Sequence, residues 1–313
     1  MNEIDINKSV TQKVILPNSN ETVEVYIQRE ELIHPFVNGN KYYKLKYNLE
    51  KARKEKHDTL LTFGGAFSNH IYAVSAAAKL YGFESVGIIR GEEYQPLNPT
   101  LQFAFNNGMK LHYLNREKYR MRTDASFREE IAKQFGRVYI VPEGGTNELA
   151  LKGAAEILNN IRVDFDYVCS AVGSGGTLAG LITGLNCNKK AIGFSALKGG
   201  EYLAETIKEL LPSALKQCNN WIINSSYHLG GFAKITKELI EFMEWFKIEN
   251  KITLEPLYTG KMMFGISDLI KKNYFPQGSK VVAIHTGGLQ GLDGMKSKIK
   301  RVYQGAEEPE YNL

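Results

Sequence analysis

The sequence predicts an α/β protein built on two open, twisted, mainly parallel sheets with helices on both faces. Three observations predict it. Short apolar runs of strand length alternate with segments of helical period along the chain. Glycine-rich turns follow four of these runs: Gly64-Gly65, Gly144-Gly145, Gly173-Ser174-Gly175-Gly176-Thr177 and Gly287-Gly288. The 313 residues, about two domains' worth, divide into two such blocks. Strands alternating with helices of this size read as βαβ units of a parallel sheet. Ligands in such folds sit at the carboxyl ends of the strands, where these glycines lie.

The elements follow in order. Val23, Val25 and Ile27 alternate with Glu24, Tyr26 and Gln28, the period of a half-buried strand. A helix is expected from about Lys41. Residues 59–63 form a compact apolar strand ending at Gly64-Gly65. Ile71, Val74, Ala78 and Tyr81 then recur at helical spacing. Residues 85–89 read as a strand, 100–107 as a helix and 110–114 as a strand. Phe127, Ile131 and Phe135 share a helix face, and 138–141 form the next strand. The rhythm resumes with a strand at 167–171 and a helix stripe of Leu178, Leu181 and Leu185. A strand at 191–196, a helix face of Ile235, Leu239, Phe242 and Phe246, and a late strand at 281–285 complete the series. No linker or short repeat interrupts it, so two packed blocks with a cleft between them are expected.

Composition excludes several classes. The chain is 43% apolar and 23% charged, with a net charge of +5, and its basic residues are interleaved with acids. No basic and aromatic stripe points to nucleic acid. No apolar run has the length of a membrane span, and residues 1–5 do not resemble a secretory leader. The three cysteines, Cys169, Cys187 and Cys218, have neither metal nor redox spacing, and the six histidines form no ligand motif. A cytoplasmic protein without a metal and in a reducing compartment is expected.

Four segments have the makings of a site. Gly173, Ser174, Gly175, Gly176 and Thr177 leave a buried strand and open a helix. Converging N–H groups and the helix start suit a phosphate there, and spacing alone serves a plain βα turn equally well. A dinucleotide fingerprint needs a third glycine and an acid about 20 residues on. Here the third position is Leu178, and the stretch Gly193-Phe194-Ser195-Ala196 has no acid. A Walker lysine is also missing, since Leu178 follows Thr177. In Gly64-Gly65-Ala66-Phe67-Ser68-Asn69-His70, Ser68 stands where strand turns into helix. It suits an N-cap or a carboxylate site at free N–H groups. Asn38-Gly39-Asn40-Lys41-Tyr42-Tyr43-Lys44-Leu45 starts a helix. Glu255-Pro256-Leu257-Tyr258-Thr259-Gly260-Lys261 reads as a loop before one.

Together these segments resemble the 1-aminocyclopropane-1-carboxylate deaminase / D-cysteine desulfhydrase family, within the tryptophan-synthase-β-like fold of pyridoxal-phosphate enzymes. The resemblance runs from about Val25 to Gly288 and keeps the family's order and spacing. It implies pyridoxal 5'-phosphate in a cleft between a large domain, residues 1–51 with 149–313, and a small domain, 52–148. Lys41 is similar to the lysine that bonds the cofactor aldehyde and then serves as local base. By the same resemblance, Lys44 with Gly173, Ser174, Gly175, Gly176 and Thr177 holds the phosphate, and Asn69 meets the ring hydroxyl. Tyr258 stacks on the ring with Thr259 beside it. Ser68, Asn69 and His70 receive the substrate carboxylate, with the Ser68 hydroxyl near the reacting carbon. Lys41, Ser68 and Tyr258 are thus the expected catalytic residues. A small amino-acid substrate and a homodimer are implied as well.

Within the family, Thr259 stands where the deaminases carry a glutamate, and His70 where they carry glutamine. Counting back from Tyr258 puts the family's second active-site tyrosine at Phe232, with Tyr227 or Tyr202 as substitutes for the lost phenol. The usual Gly-Gly-Asn-Lys is Asn38-Gly39-Asn40-Lys41 here, and Thr-Arg-Lys is Tyr42-Tyr43-Lys44. The leading expectation is a carbon–sulfur lyase of the D-cysteine desulfhydrase type, releasing pyruvate, ammonia and sulfide. The alternatives are a 1-aminocyclopropane-1-carboxylate deaminase giving 2-oxobutyrate and ammonia, and a pyridoxal-phosphate or amino-acid binding protein with little turnover. A nucleotide-binding oxidoreductase comes last. Likeness of fold does not settle substrate.

Overall fold

A computed structural model describes residues 3–17 and 23–303. Strands β1 (Thr11–Val14) and β2 (Glu24–Arg29) pair antiparallel. Helix α1 (Gly39–Lys54) leads into a block of β3 (Thr59–Gly65), α2 (Asn69–Tyr81), β4 (Glu84–Arg90), α3 (Pro99–Asn106), β5 (Met109–Leu114), α4 (Arg116–Arg120), α5 (Ala125–Lys133) and β6 (Val138–Val141). Helix α6 (Glu148–Ala155) leads back to β7 (Tyr167–Val172), α7 (Gly176–Leu185), β8 (Lys190–Ser195), α8 (Leu203–Leu210) and β9 (Trp221–Asn224). Then come α9 (Lys237–Asn250), α10 (Thr259–Lys271), β10 (Lys280–His285) and α11 (Gly291–Tyr303).

The strands form two sheets. The larger has the order β1-β2-β10-β7-β8-β9 and the smaller β5-β4-β3-β6. Every pairing except β1 with β2 is parallel. Every residue of β7 is buried, as expected of a strand covered on both faces. The strand period divides the core. Cys169, Ala171, Val281 and Ala283 face Phe246, Met262, Met263 and Ile266 of α9 and α10. Val168, Val172, Val282 and Ile284 face Leu151, Leu178, Leu181 and Ile207 of α6, α7 and α8. In the small sheet Leu60 and Ile89 meet α2, while Leu61, Phe63, Val86 and Ile88 meet Phe127 and Ile131 of α5.

Three sequence expectations shift. Phe135 lies beyond the end of α5 and Ile235 ahead of α9, so each helix face is shorter than the apolar spacing suggested. Helix α10 begins at Thr259, which puts Gly260 and Lys261 in its first turn and not in the loop. Cys187 and Cys218, which have neither metal nor redox spacing in the sequence and there point to a reducing compartment, form a disulfide with a Cα–Cα separation of 5.5 Å. The reason is topological: each precedes one of the neighbouring parallel strands β8 and β9, so both lie at the same sheet edge. Cys169 is free and buried in β7. Among the described residues, no helix is long and apolar enough to cross a membrane, and no side-chain group is set to hold a metal ion.

Candidate active site

Four parallel strands end at one place. Gly65 closes β3, Thr146 lies beyond β6, Gly173 follows β7 and Thr286 follows β10. The start of α1 is set against the last of these. Gly39 has φ +57°, and a Cβ on it would lie 2.1 Å from the Thr286 carbonyl oxygen. Only glycine suits both the backbone and this approach. Lys41 therefore stands in the first turn of α1, at the strand ends.

Its Nζ lies 3.2 Å from Asn40 Oδ1. The surrounding protein lowers its pKa to about 8, and the Glu255 carboxylate works in the opposite direction. One turn on, Lys44 is 1% exposed and donates to Thr146 Oγ1 at 3.0 Å. Burial first and the Lys41 charge second push its pKa well below the ordinary lysine value. Thr146 Oγ1 is also 2.9 Å from Ser174 Oγ. Helix α7 opens beside this group. Gly175 is its N-cap with φ +82°, and a Cβ on Gly176 would lie 2.7 Å from Thr146 Oγ1 and 2.9 Å from Lys44 Nζ. Asn40 Nδ2 donates to Thr177 Oγ1 at 2.7 Å, tying α1 to α7. A buried cation, two hydroxyls and an uncapped helix start make a cradle for an anion.

On the other side, a Cβ on Gly173 would lie 3.2 Å from Tyr258 Cε1. Burial raises the Tyr258 phenol above its usual pKa, with Glu255 adding to the shift. Phe232 faces the Tyr258 ring with centroids 5.9 Å apart. Of the two proposed substitutes for a second phenol, Tyr227 is engaged, donating to Asp268 at 2.7 Å, and Tyr202 is exposed next to α8. Glu255 is 2% exposed and accepts N–H bonds from Leu257, Tyr258 and Thr259 at 2.8, 2.9 and 2.6 Å. Thr259 Oγ1 lies 3.2 Å from the same carboxylate and accepts the Glu255 N–H at 3.0 Å.

The loop after β3 completes the cleft. Ser68 caps α2, accepting from His70 N at 3.2 Å and Ile71 N at 3.3 Å. Its own N–H donates to Gly65. Of the three N–H groups expected to meet a carboxylate, Ser68 and His70 are therefore already engaged. The His70 ring is 2% exposed, with Nε2 2.8 Å from Thr62 Oγ1. Burial and the two lysines hold its pKa well below the ordinary value, so it is neutral. Asn69 Oδ1 accepts from Gln290 Nε2 at 3.0 Å. A Cβ on Gly288 would lie 2.7 Å from Asn69 Nδ2 and 3.5 Å from Glu255 Cγ.

Residues 7–287 match the family model described as pyridoxal-phosphate dependent enzyme. The chain belongs to the pyridoxal-phosphate dependent enzyme family. The enzyme is 34% identical over 305 residues to a Pyrococcus furiosus protein provisionally named 1-aminocyclopropane-1-carboxylate deaminase, with 91% of each chain covered. It is 30% identical to the mitochondrial bifunctional D-cysteine desulfhydrase/1-aminocyclopropane-1-carboxylate deaminase of Arabidopsis thaliana, over 88% of this chain and 75% of that one. The solved structure of an ACC deaminase homologue superposes with a TM-score of 0.81 at 29% identity, covering 96% of this chain and 95% of the other. A hydrogen sulfide-producing enzyme from Fusobacterium nucleatum shares the fold, with a TM-score of 0.64, 15% identity, and 92% and 97% coverage. The enzyme is thus a pyridoxal-phosphate dependent lyase or deaminase of the 1-aminocyclopropane-1-carboxylate deaminase / D-cysteine desulfhydrase family.

The residues present fit this cofactor. Lys44 is a buried cation with a hydroxyl for a partner, the condition a dianionic phosphate relieves. Lys41 is the neighbouring amine, and Tyr258 lies beside the cradle. Four residues had no role in the sequence: Thr146, Asn40, Glu255 and Gln290. Asn40 was adjacent to the lysine motif. Glu255 stands four before Thr259, a spacing that meets an N–H at a helix start. Nothing local pointed to Thr146 or Gln290, which reach the cleft through strand and loop placement alone.

Proposed function

We propose that the enzyme eliminates the β-substituent of a small amino acid, D-cysteine in the first place, giving pyruvate, ammonia and sulfide with uptake of one water. The observation that carries this is Thr259. The residue after Tyr258 is uncharged, and its hydroxyl is held by Glu255. A hydroxyl keeps a ring nitrogen protonated less firmly than a carboxylate. That suits expulsion of a good leaving group better than opening of a strained ring. The alternative, deamination of 1-aminocyclopropane-1-carboxylate to 2-oxobutyrate, is favoured by the name of the Pyrococcus furiosus relative.

Bound pyridoxal phosphate supplies an electron sink for charge developing at the substrate Cα. In this proposal Lys44, Ser174, Thr177 and the N–H groups of Gly175 and Gly176 hold its phosphate. Asn69 meets the ring hydroxyl, and Tyr258 packs on the ring with Thr259 beside it. Lys41 Nζ holds the cofactor at rest. Once released as a neutral amine it takes the proton from Cα. Ser68 has a narrower role than its position suggests. A hydroxyl has two acceptor sites and one proton. Both acceptor sites are used by His70 N and Ile71 N, so Ser68 offers only its proton, to the substrate carboxylate. His70 acts from beneath the loop, through its bond to Thr62.

The two sheets are proposed as two domains, 1–51 with 149–313 and 52–148, working as a homodimer in the cytoplasm. Purified enzyme given each substrate decides the chemistry. Sulfide from D-cysteine and no 2-oxobutyrate from the cyclopropane amino acid is the expected result, and the reverse pattern overturns it.

A further inference from the structure

Between β9 and α9, residues 225–236 form neither strand nor helix. Leu229, Gly230, Gly231 and Ala233 have φ of 48°, 92°, 117° and 61°. Leucine and alanine resist that backbone region, so this shape needs a restraint from outside the loop. The loop carries Phe232, 42% exposed and facing Tyr258.

The restraint is Lys261. It lies in the first turn of α10 and is 2% exposed. Its Nζ donates to the carbonyls of His228 and Gly231, each at 2.7 Å. The same carbonyls fold the loop on itself: Gly231 N–H donates to His228 and Lys234 N–H to Gly231. An ammonium at this place is unfavourable for the helix, because the first turn is its positive end. It is also desolvated, which lowers its pKa to about 8 against the pull of Glu255. A methionine would fill the same space without either cost. What the lysine adds is the hold on two loop carbonyls.

We propose that Lys261 is a positioning residue for substrate selection: through the His228 and Gly231 carbonyls it fixes the loop that sets Phe232 against Tyr258, and so the apolar wall met by the substrate side chain. The substrate class it favours is a small amino acid with a compact, uncharged β-substituent. This rests on the function proposed above.

The test is a double-mutant cycle on the holoenzyme with Lys261→Met and Phe232→Ala. Each alone is expected to raise KM for D-cysteine about tenfold with kcat within about threefold, and the pair to do no more than either. Cofactor content and its visible absorption stay as in the wild type. Effects that multiply in the double variant, or KM unchanged in Lys261→Met, overturn the proposal. Should Lys261→Met fail to fold, Lys261→Leu, which likewise fills apolar space without a donor, carries the same cycle. Hydrogen exchange separates this proposal from the functional one. The Gly231 and Lys234 amides are expected to exchange at least about tenfold faster in Lys261→Met. Unchanged exchange overturns the clamp by itself, whereas a wild type that turns over neither substrate overturns only the function proposed above.

Discussion

Two helices begin at the cleft, α7 and α10, and they meet the same electrostatic demand in opposite ways. A helix start leaves N–H groups unpaired and carries about half a positive charge. At α10 the chain supplies the anion itself, since Glu255 takes the N–H groups of Leu257, Tyr258 and Thr259. At α7 it does not. The N-cap is a glycine, Ser174 is turned to Thr146, and the buried charge beside it is the cation Lys44. One start is filled from within and the other is left to a ligand. The difference explains why a phosphate belongs at α7, although α10 carries Tyr258 and Thr259.

Variants at the two starts test that contrast, and Lys41, in the first turn of α1, gives the largest effect. Lys41→Ala is expected to lower turnover by about 1,000-fold or more, measured as 2-oxo acid release, and a loss under tenfold would remove Lys41 from the reaction. Lys44→Met is expected to weaken pyridoxal-phosphate binding about 100-fold, near 3 kcal/mol. It should not destabilise the apoprotein, because the cation it removes has no buried counter-charge. Equilibrium dialysis and thermal melting check both halves, and a lower apoprotein Tm would show that Lys44 serves the fold. Glu255→Ala is expected to act the other way. It strips three N–H groups of their acceptor and leaves a cavity, costing about 2 kcal/mol in denaturant unfolding. An unchanged unfolding midpoint would break the comparison.

The same contrast explains what was legible in the sequence. The α7 start was visible because its glycines are closely spaced and follow a compact, mostly apolar strand. Lys41 and Lys44 were legible only through the resemblance of their segment to the family's lysine motif, since alone it reads as a helix start in a lysine-rich chain. Glu255 was not, since Pro256 and Gly260 mark a loop in any local view, and its task as the anion of α10 depends on the path between them. Thr146 becomes part of the cup because β6 joins the small sheet beside β3, a crossover that no local pattern reveals. Cys187 and Cys218 meet for a similar reason, 31 residues apart but at one end of adjacent strands. Phe232 was found by counting from Tyr258, but its contact with that ring comes from a loop held at a distance by Lys261.

Lys41 and Lys44 also differ in company, which predicts a pH dependence. Glu255 offsets part of the burial at Lys41, and no such group acts on Lys44. Below about pH 8 the Lys41 amine is protonated and cannot attack an aldehyde. Uptake of pyridoxal, which lacks the phosphate and so bypasses Lys44, should rise about tenfold per pH unit up to that point and level off above it. Glu255→Ala removes the group that raises the Lys41 pKa and should move the midpoint down. Spectrophotometric uptake rates check this, and a midpoint that moves up would mean that Glu255 acts on Lys41 in the opposite sense.

The smallest effect separates the two tasks of Ser68. As the cap of α2 it takes two N–H groups, and losing it in Ser68→Ala should cost about 1 kcal/mol in thermal or denaturant unfolding. Ser68→Asp restores a good capping oxygen, so stability should return to near the wild-type value. The carboxylate has no proton to donate and repels the substrate's own, so KM should rise although the fold is restored. Stability and substrate binding, which fall together in Ser68→Ala, should therefore part in Ser68→Asp. If KM recovers along with the melting temperature, Ser68 is a helix cap only, and the substrate carboxylate must find its donors elsewhere in the cleft.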